Sequence, residues 1–324
     1  MTLPSGVGSW PGTDPVTPAR QVRDLLSDNG IPYLVELPDR GPGADMIGRT
    51  AAALVDLEVD LQPSGWRLAP AADRNVRRGR AFLRDDLEVL AETYDGWQGP
   101  LKVALTGPWT LASSLWLPRG ERVVTDAGAC RDLVQSLAEA VRVLAGQVRA
   151  AVPGAQVIVQ LDEPGLPAVL AGSLRSASGL NQVRPVDLPI VRDGLASVRE
   201  AHDGRVVVHC CAPGVPTALL RSVDVEVSLD TALLTPGAWE GVAELIESGR
   251  TLWAGAIPTD AVGTHPGAFV DALTDAWHRV GLPDAALADL VVTPACGLAT
   301  RREAARIQRL AVDAASALAE RAAA

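Results

Sequence analysis

AGACRDLVQSLAEAVRVLAGQVRAAVPGAQVIVQLDEPG, residues 127–165, is the stretch whose reading decides the fold. Residues 127–151 set apolar side chains three and four apart, the spacing of one helix face. Residues 155–161, AQVIVQL, are a short apolar run of strand length, and the polar turn DEPG follows at once. The same unit recurs along the chain. Strand-like runs stand at 31–37, 101–106, 205–209, 224–229, 251–257 and 290–293, with a weaker eighth candidate within 58–69. Helical stretches stand at 191–202, 236–248, 266–280 and 301–322. Strand–helix alternation implies a parallel sheet. About eight such strands in a chain of 324 residues suit a single α/β (β/α)8 TIM barrel better than a doubly wound sheet. No linker composition divides the chain. It reads as one domain, 1–324, with 1–30 an N-terminal loop and helix extension that contributes to the site.

Composition narrows the function classes. A net charge of −10 and a pI near 4.9 offer no basic face for a nucleic acid or an anionic membrane. The N-terminus lacks a targeting pattern, and no apolar run is long enough to span a bilayer. Four cysteines in a chain of this length make no disulfide framework. A soluble protein of the reducing cytoplasm is expected. Lys102 is the chain's only lysine, which reads as compositional bias toward Arg.

A barrel gathers its chemistry where the strands exit, on one rim. Glu36 and Asp39 follow the first run, TGPWT the next, DEPG the next. Then come HCC (209–211), Asp230, Thr259 with Asp260, and PACG (294–297). On an extended chain residues i and i+2 point the same way. His209 and Cys211 therefore face one point, while Cys210 turns into the wall. Asp230 ends the next strand and Cys296 follows the last. A nitrogen, two sulfurs and a carboxylate suit Zn²⁺. Two thiolates and a carboxylate outweigh the ion's charge. Such a centre is a weak Lewis acid toward water but still binds and deprotonates a substrate thiol. That points to thiol alkylation rather than hydrolysis. Cys130, in a helical stretch, is assigned to packing.

GVGSWPGT (6–13), LTGPWTL (105–111), VQLDEPGL (159–166), HCC (209–211), SLDT (228–231) and TPACGLATR (293–301) together resemble the C-terminal catalytic barrel of cobalamin-independent methionine synthase. That barrel is of the same class as uroporphyrinogen decarboxylase. The resemblance implies Zn²⁺ on His209, Cys211 and Cys296, with Asp230 where the family has Glu. It implies homocysteine held at its carboxylate by Ser9 and at its ammonium by Asp162, aided by Glu36 or Asp39. Hydroxyl donors and carboxylates are what a zwitterion needs. Catalysis is thus assigned to Asp162, His209, Cys211 and Cys296. Trp109 and Trp116 are placed to stack on a methyl-folate donor.

The sequence departs from the family in two places. The full-length enzymes carry a further N-terminal barrel, so the chain corresponds to their catalytic half, and a corrinoid protein stands as an alternative methyl donor. GAIPTDAVGTHP (255–266) fits poorly the segment that supplies a histidine near the metal; Asp260 or His265 are the available substitutes. Two rival functions remain open: a metal-free decarboxylase, for which DRNVRRGR (73–80) offers arginines, and a non-catalytic zinc scaffold.

Overall fold

A computed structural model describes residues 1–261 and 265–324. Its strands are β1 (Leu3–Pro4), β2 (Glu58–Gln62), β3 (Gly65–Ala69), β4 (Gly99–Thr106), β5 (Ala155–Asp162), β6 (Val206–Cys210), β7 (Glu226–Asp230), β8 (Leu252–Ile257) and β9 (Val291–Pro294). The helices are α1 (Val16–Leu26), α2 (Met46–Ala53), α3 (Arg74–Thr93), α4 (Pro108–Ser114), α5 (Ala127–Ala151), α6 (Leu166–Ala171), α7 (Leu188–Arg199), α8 (Thr217–Ser222), α9 (Pro236–Glu247), α10 (Gly267–Arg279) and α11 (Ala304–Ala323). The unit read first from sequence is α5 followed by β5. Asp126 caps α5 by accepting from the Ala129 amide at 2.8 Å. The helix buries a stripe through Leu133, Leu137, Val141, Leu144 and Val148.

Seven strands make one parallel sheet in the order β1-β9-β8-β7-β6-β5-β4. The segment 31–36 closes the gap between its two edges. Ile31 bridges Ser5 on the β1 side and Tyr33 bridges Lys102 on the β4 side, both parallel. The Ile31 amide donates to Pro4 O at 2.9 Å and the Leu34 amide to Lys102 O at 2.8 Å. Both edges are thus paired and the α/β barrel has eight staves.

The eighth stave is not the one expected. Residues 58–69 form an antiparallel hairpin of β2 and β3, apart from the main sheet. The N-terminal segment, read as an extension, supplies the stave instead, together with α1 and the loop carrying Ser9. Its backbone conceals this. Only Leu3–Pro4 is regular strand, and the pairing then continues through single bridges at Ser5 and Ser9.

The barrel interior is layered. Leu3, Ile31, Ile158, Val207, Trp253 and Val291 form an apolar floor. Above it the inward positions turn polar: Lys102, Gln160, Asp162, His209 and Ser228 are all buried. The outward faces pack on the helices in a second, larger core. No helix among the described residues is long and apolar enough to cross a membrane.

Glu163 ties α4 to the end of β5. Its carboxylate accepts from the Trp109 and Thr110 amides at 2.8 and 2.7 Å and from Thr110 Oγ1 at 2.7 Å. A Cβ on Gly107 would fall on this carboxylate, which explains the glycine in TGPW. Burial pushes the Glu163 carboxyl up to about 7 against the pull of these donors. Glu163→Ala leaves three buried donors without an acceptor and should cost at least about 3 kcal/mol. Urea unfolding measures this; a loss below about 1 kcal/mol would contradict the tie.

Candidate metal centre

The parallel register of β5, β6 and β7 builds the centre. Asp162 pairs with His209 and His209 with Ser228. His209 is 3% exposed, and its Nδ1 lies 3.0 Å from Ser228 Oγ. In the tautomer where Nδ1–H donates to Ser228, the Nε2 lone pair is free. Nε2 is buried with no hydrogen-bond partner.

The two chain turns beyond β6 and β9 bring sulfur to this nitrogen. Cys211 Sγ and Cys296 Sγ are 3.3 Å apart, both half-buried. The ring nitrogen and both sulfurs lie within 4.8 Å of one another. The S–H···S contact, and then His209, hold the Cys296 thiol down at about 4; the same contact pushes Cys211 up. A bound cation would replace this S–H···S contact. An orphaned buried imidazole nitrogen converging with two sulfurs is a donor set that fits Zn²⁺. Cys210 is 2% exposed in the apolar wall, and burial pushes its thiol up to about 11. Cys130 is also buried, its Sγ 3.4 Å from Val123 O.

Asp230, expected as a fourth donor, stands outside this three-residue set. Its Oδ1 accepts from the Ala232 amide at 3.0 Å and caps the turn after β7. Burial raises its carboxyl, with Cys296 adding to the rise and His209 opposing it, so it remains electrostatically in touch with the centre.

The expected amino-acid-binding residues surround the same mouth. Asp162 is 7% exposed, and its Oδ1 accepts from Gln160 Nε2 at 2.7 Å. Burial raises its carboxyl, opposed first by His209. Glu36 is buried against Arg49 of α2, at 2.9 Å; burial raises its carboxyl and Arg49 opposes the rise. Ser9 bridges Glu36, and its carbonyl accepts from the Leu298 amide at 2.9 Å. A Cβ on Gly297 would fall on Ser9 Oγ, so the Ser9 hydroxyl lies against the residue next to Cys296. Asp39 instead accepts from the Gly12 amide at 2.8 Å.

Trp109 is placed otherwise than expected. It is 1% exposed, its ring lies against Gly194, and its Nε1 donates to Val191 O at 2.9 Å. It has no free face for stacking. It fills the seam between α4 and α7. Trp116 is half-buried, with Arg122 4.6 Å above its ring. Within 255–266, Val262–Thr264 lie outside the described residues; Asp260 and His265 flank them and are exposed. Arg74, Arg77 and Arg78 of the 73–80 run are exposed on α3, and Arg80 pairs with Glu58 at 3.0 Å.

Sequence reasoning passed over Ser228, Gln160, Lys102 and Arg49. The signal for the first three was a polar residue at an inward position of an otherwise apolar strand.

The family described as the cobalamin-independent synthase catalytic domain has a profile that matches residues 97–317. That span holds Asp162, His209, Cys211, Asp230 and Cys296 but not Ser9 or Glu36. A B12-independent methionine synthase from Shewanella sp. W3-18-1, solved in complex with selenomethionine, is 16% identical, covers 99% of this chain and 97% of its own, and superposes with a TM-score of 0.61. A candidate vitamin-B12-independent methionine synthase from Listeria monocytogenes is 15% identical over 98% and 99%, with a TM-score of 0.63. At these identities the likeness is one of fold. No curated protein sequence matches the chain.

Chelator competition should find about one zinc per chain. His209→Ala, Cys211→Ser and Cys296→Ser should each lose tight binding, and Ser228→Ala should weaken it about 10- to 100-fold. Cys210→Ser should bind like the parent. Full zinc retention by Cys211→Ser would contradict the assignment.

Proposed function

The chain belongs to the cobalamin-independent synthase family, and from that premise we propose that it is a zinc-dependent methyltransferase that moves a methyl group from a methyl-folate to the sulfur of homocysteine, giving methionine. The observation that carries the reading is the buried, unpartnered Nε2 of His209 beside the Cys211–Cys296 pair. The family's cobalamin independence favours a methyl-folate over a corrinoid protein as donor. The whole of 1–324 acts as one catalytic barrel, working in the cytoplasm on small molecules.

His209, Cys211 and Cys296 would hold the Zn²⁺, and Ser228 fixes the imidazole tautomer they need. When bound, the ion supplies the Lewis acidity that keeps a substrate thiol deprotonated near neutral pH. Three protein donors leave a position for that thiol. Asp162 receives the homocysteine ammonium. Ser9 donates to its carboxylate. Glu36, held by Arg49, adds negative charge on the ammonium side. The protein thereby fixes the sulfur's direction of attack and removes the orientational cost of meeting the methyl group. Asp230, tethered by the Ala232 amide, adds negative charge on the Cys296 side of the centre.

Zinc-loaded protein with L-homocysteine and 5-methyltetrahydrofolate, as mono- and polyglutamate, should form methionine. Chelation should abolish turnover and zinc should restore it. Asp162→Asn removes a charge-assisted bond worth about 1.5–3 kcal/mol and should raise the KM for homocysteine about 10- to 100-fold. Undiminished methionine formation after complete metal removal would overturn the proposal.

A further inference from the structure

Lys102 is fully buried, on the inward side of β4, paired with Ile158 and so four residues along the register from Asp162, with Gln160 between. Its immediate partners are neutral. Nζ donates to Val7 O at 2.7 Å and to Gln160 Oε1 at 2.5 Å. The Tyr33 and Trp253 rings stand 5.2 and 6.0 Å from the ammonium. Burial lowers the lysine to about 8, while Asp162 and then Glu36 pull it back up. An ammonium in such a place is costly and needs a structural reason.

Its geometry supplies one. An ammonium only donates, so it fixes which end of the Gln160 amide faces it: the oxygen. The amide nitrogen must then point the other way. It donates to Asp162 Oδ1 at 2.7 Å and to Val7 O at 3.0 Å. Asp162 is thus held by one oxygen, and among the described residues Oδ2 makes no hydrogen bond. Val7 O accepts from both Lys102 and Gln160, and Val7 lies two residues before Ser9. One buried pair therefore pins Asp162 on one side of the mouth and the Ser9 loop on the other.

We infer that Lys102 and Gln160 form a strut that sets the spacing between Asp162 and the Ser9 loop, and so makes the metal centre selective for a zwitterionic thiol over a simple one. Both are positioning residues; neither touches substrate. The inference rests on the amino-acid pocket assigned under the proposed function. Lys102→Met removes the donor at similar volume. Gln160→Glu keeps an acceptor for Lys102 but has no N–H for Asp162 or Val7.

The test is thiol binding to cobalt-substituted protein, read as sulfur-to-cobalt charge-transfer absorption, with L-homocysteine and 2-mercaptoethanol in parallel. Both variants should bind homocysteine about 10- to 100-fold more weakly, the range set by loss of hydrogen bonds to charged groups. Their affinity for 2-mercaptoethanol should change less than about twofold, with metal content at the parent level. If Lys102→Met does not fold, Gln160→Glu carries the test. Unchanged homocysteine affinity in a folded variant, or an equal loss for both thiols, overturns the strut. Equal affinity of the parent protein for the two thiols overturns the Asp162–Ser9 pocket itself, and the strut with it.

Discussion

Parallel register across β5, β6 and β7 governs everything at the barrel mouth. It sets Asp162, His209 and Ser228 side by side, one from each strand, at the same height. Side chains on a strand alternate, so a one-residue slip would exchange His209 for an apolar neighbour and send it into the wall. The register is in turn held by barrel closure. Residues 31–36 occupy both edges of the sheet, and without them the ends of β1 and β4 would be open.

The interior above the floor holds a concentration of polar groups that a stability-optimised core would lack. Glu36 with Arg49, and Lys102 with Gln160 and Asp162, are all buried. Burial raises both acids and lowers the lysine, the signature of charges held in place against their solvation. Clusters of this kind mark functional sites more often than structural ones. Here Asp162 stands beside His209 in register, at the edge of the His209–Cys211–Cys296 convergence. The apolar floor and the helix-packed wall supply the stability that lets the mouth remain polar.

Much of this is written locally. The 3.6-residue period of α5 and the apolar run of β5 are each visible in a single window, and alternation alone separates Cys210 from His209 and Cys211. The first stave is not visible, because LPSGVGS carries Pro and Gly where a strand would carry β-branched residues and pairs through isolated bridges. The hairpin at 58–69 resembles a barrel strand because its own alternation is regular. Trp109 sits next to a motif at the mouth, but its direction is set by Gly194 and Val191, which are remote in sequence. The tether of Asp230 to Ala232 depends on the turn after β7. Lys102 is legible only once the inward side of β4 is known; as a lone lysine it looks like bias in composition.

The proposed function requires that His209, Cys211 and Cys296 hold one ion and leave room for a substrate sulfur. X-ray absorption at the zinc edge measures this directly. The zinc-loaded protein should show two sulfur neighbours, and L-homocysteine should raise the number to three. A sulfur count that does not change with saturating homocysteine, or a resting count other than two, would contradict it.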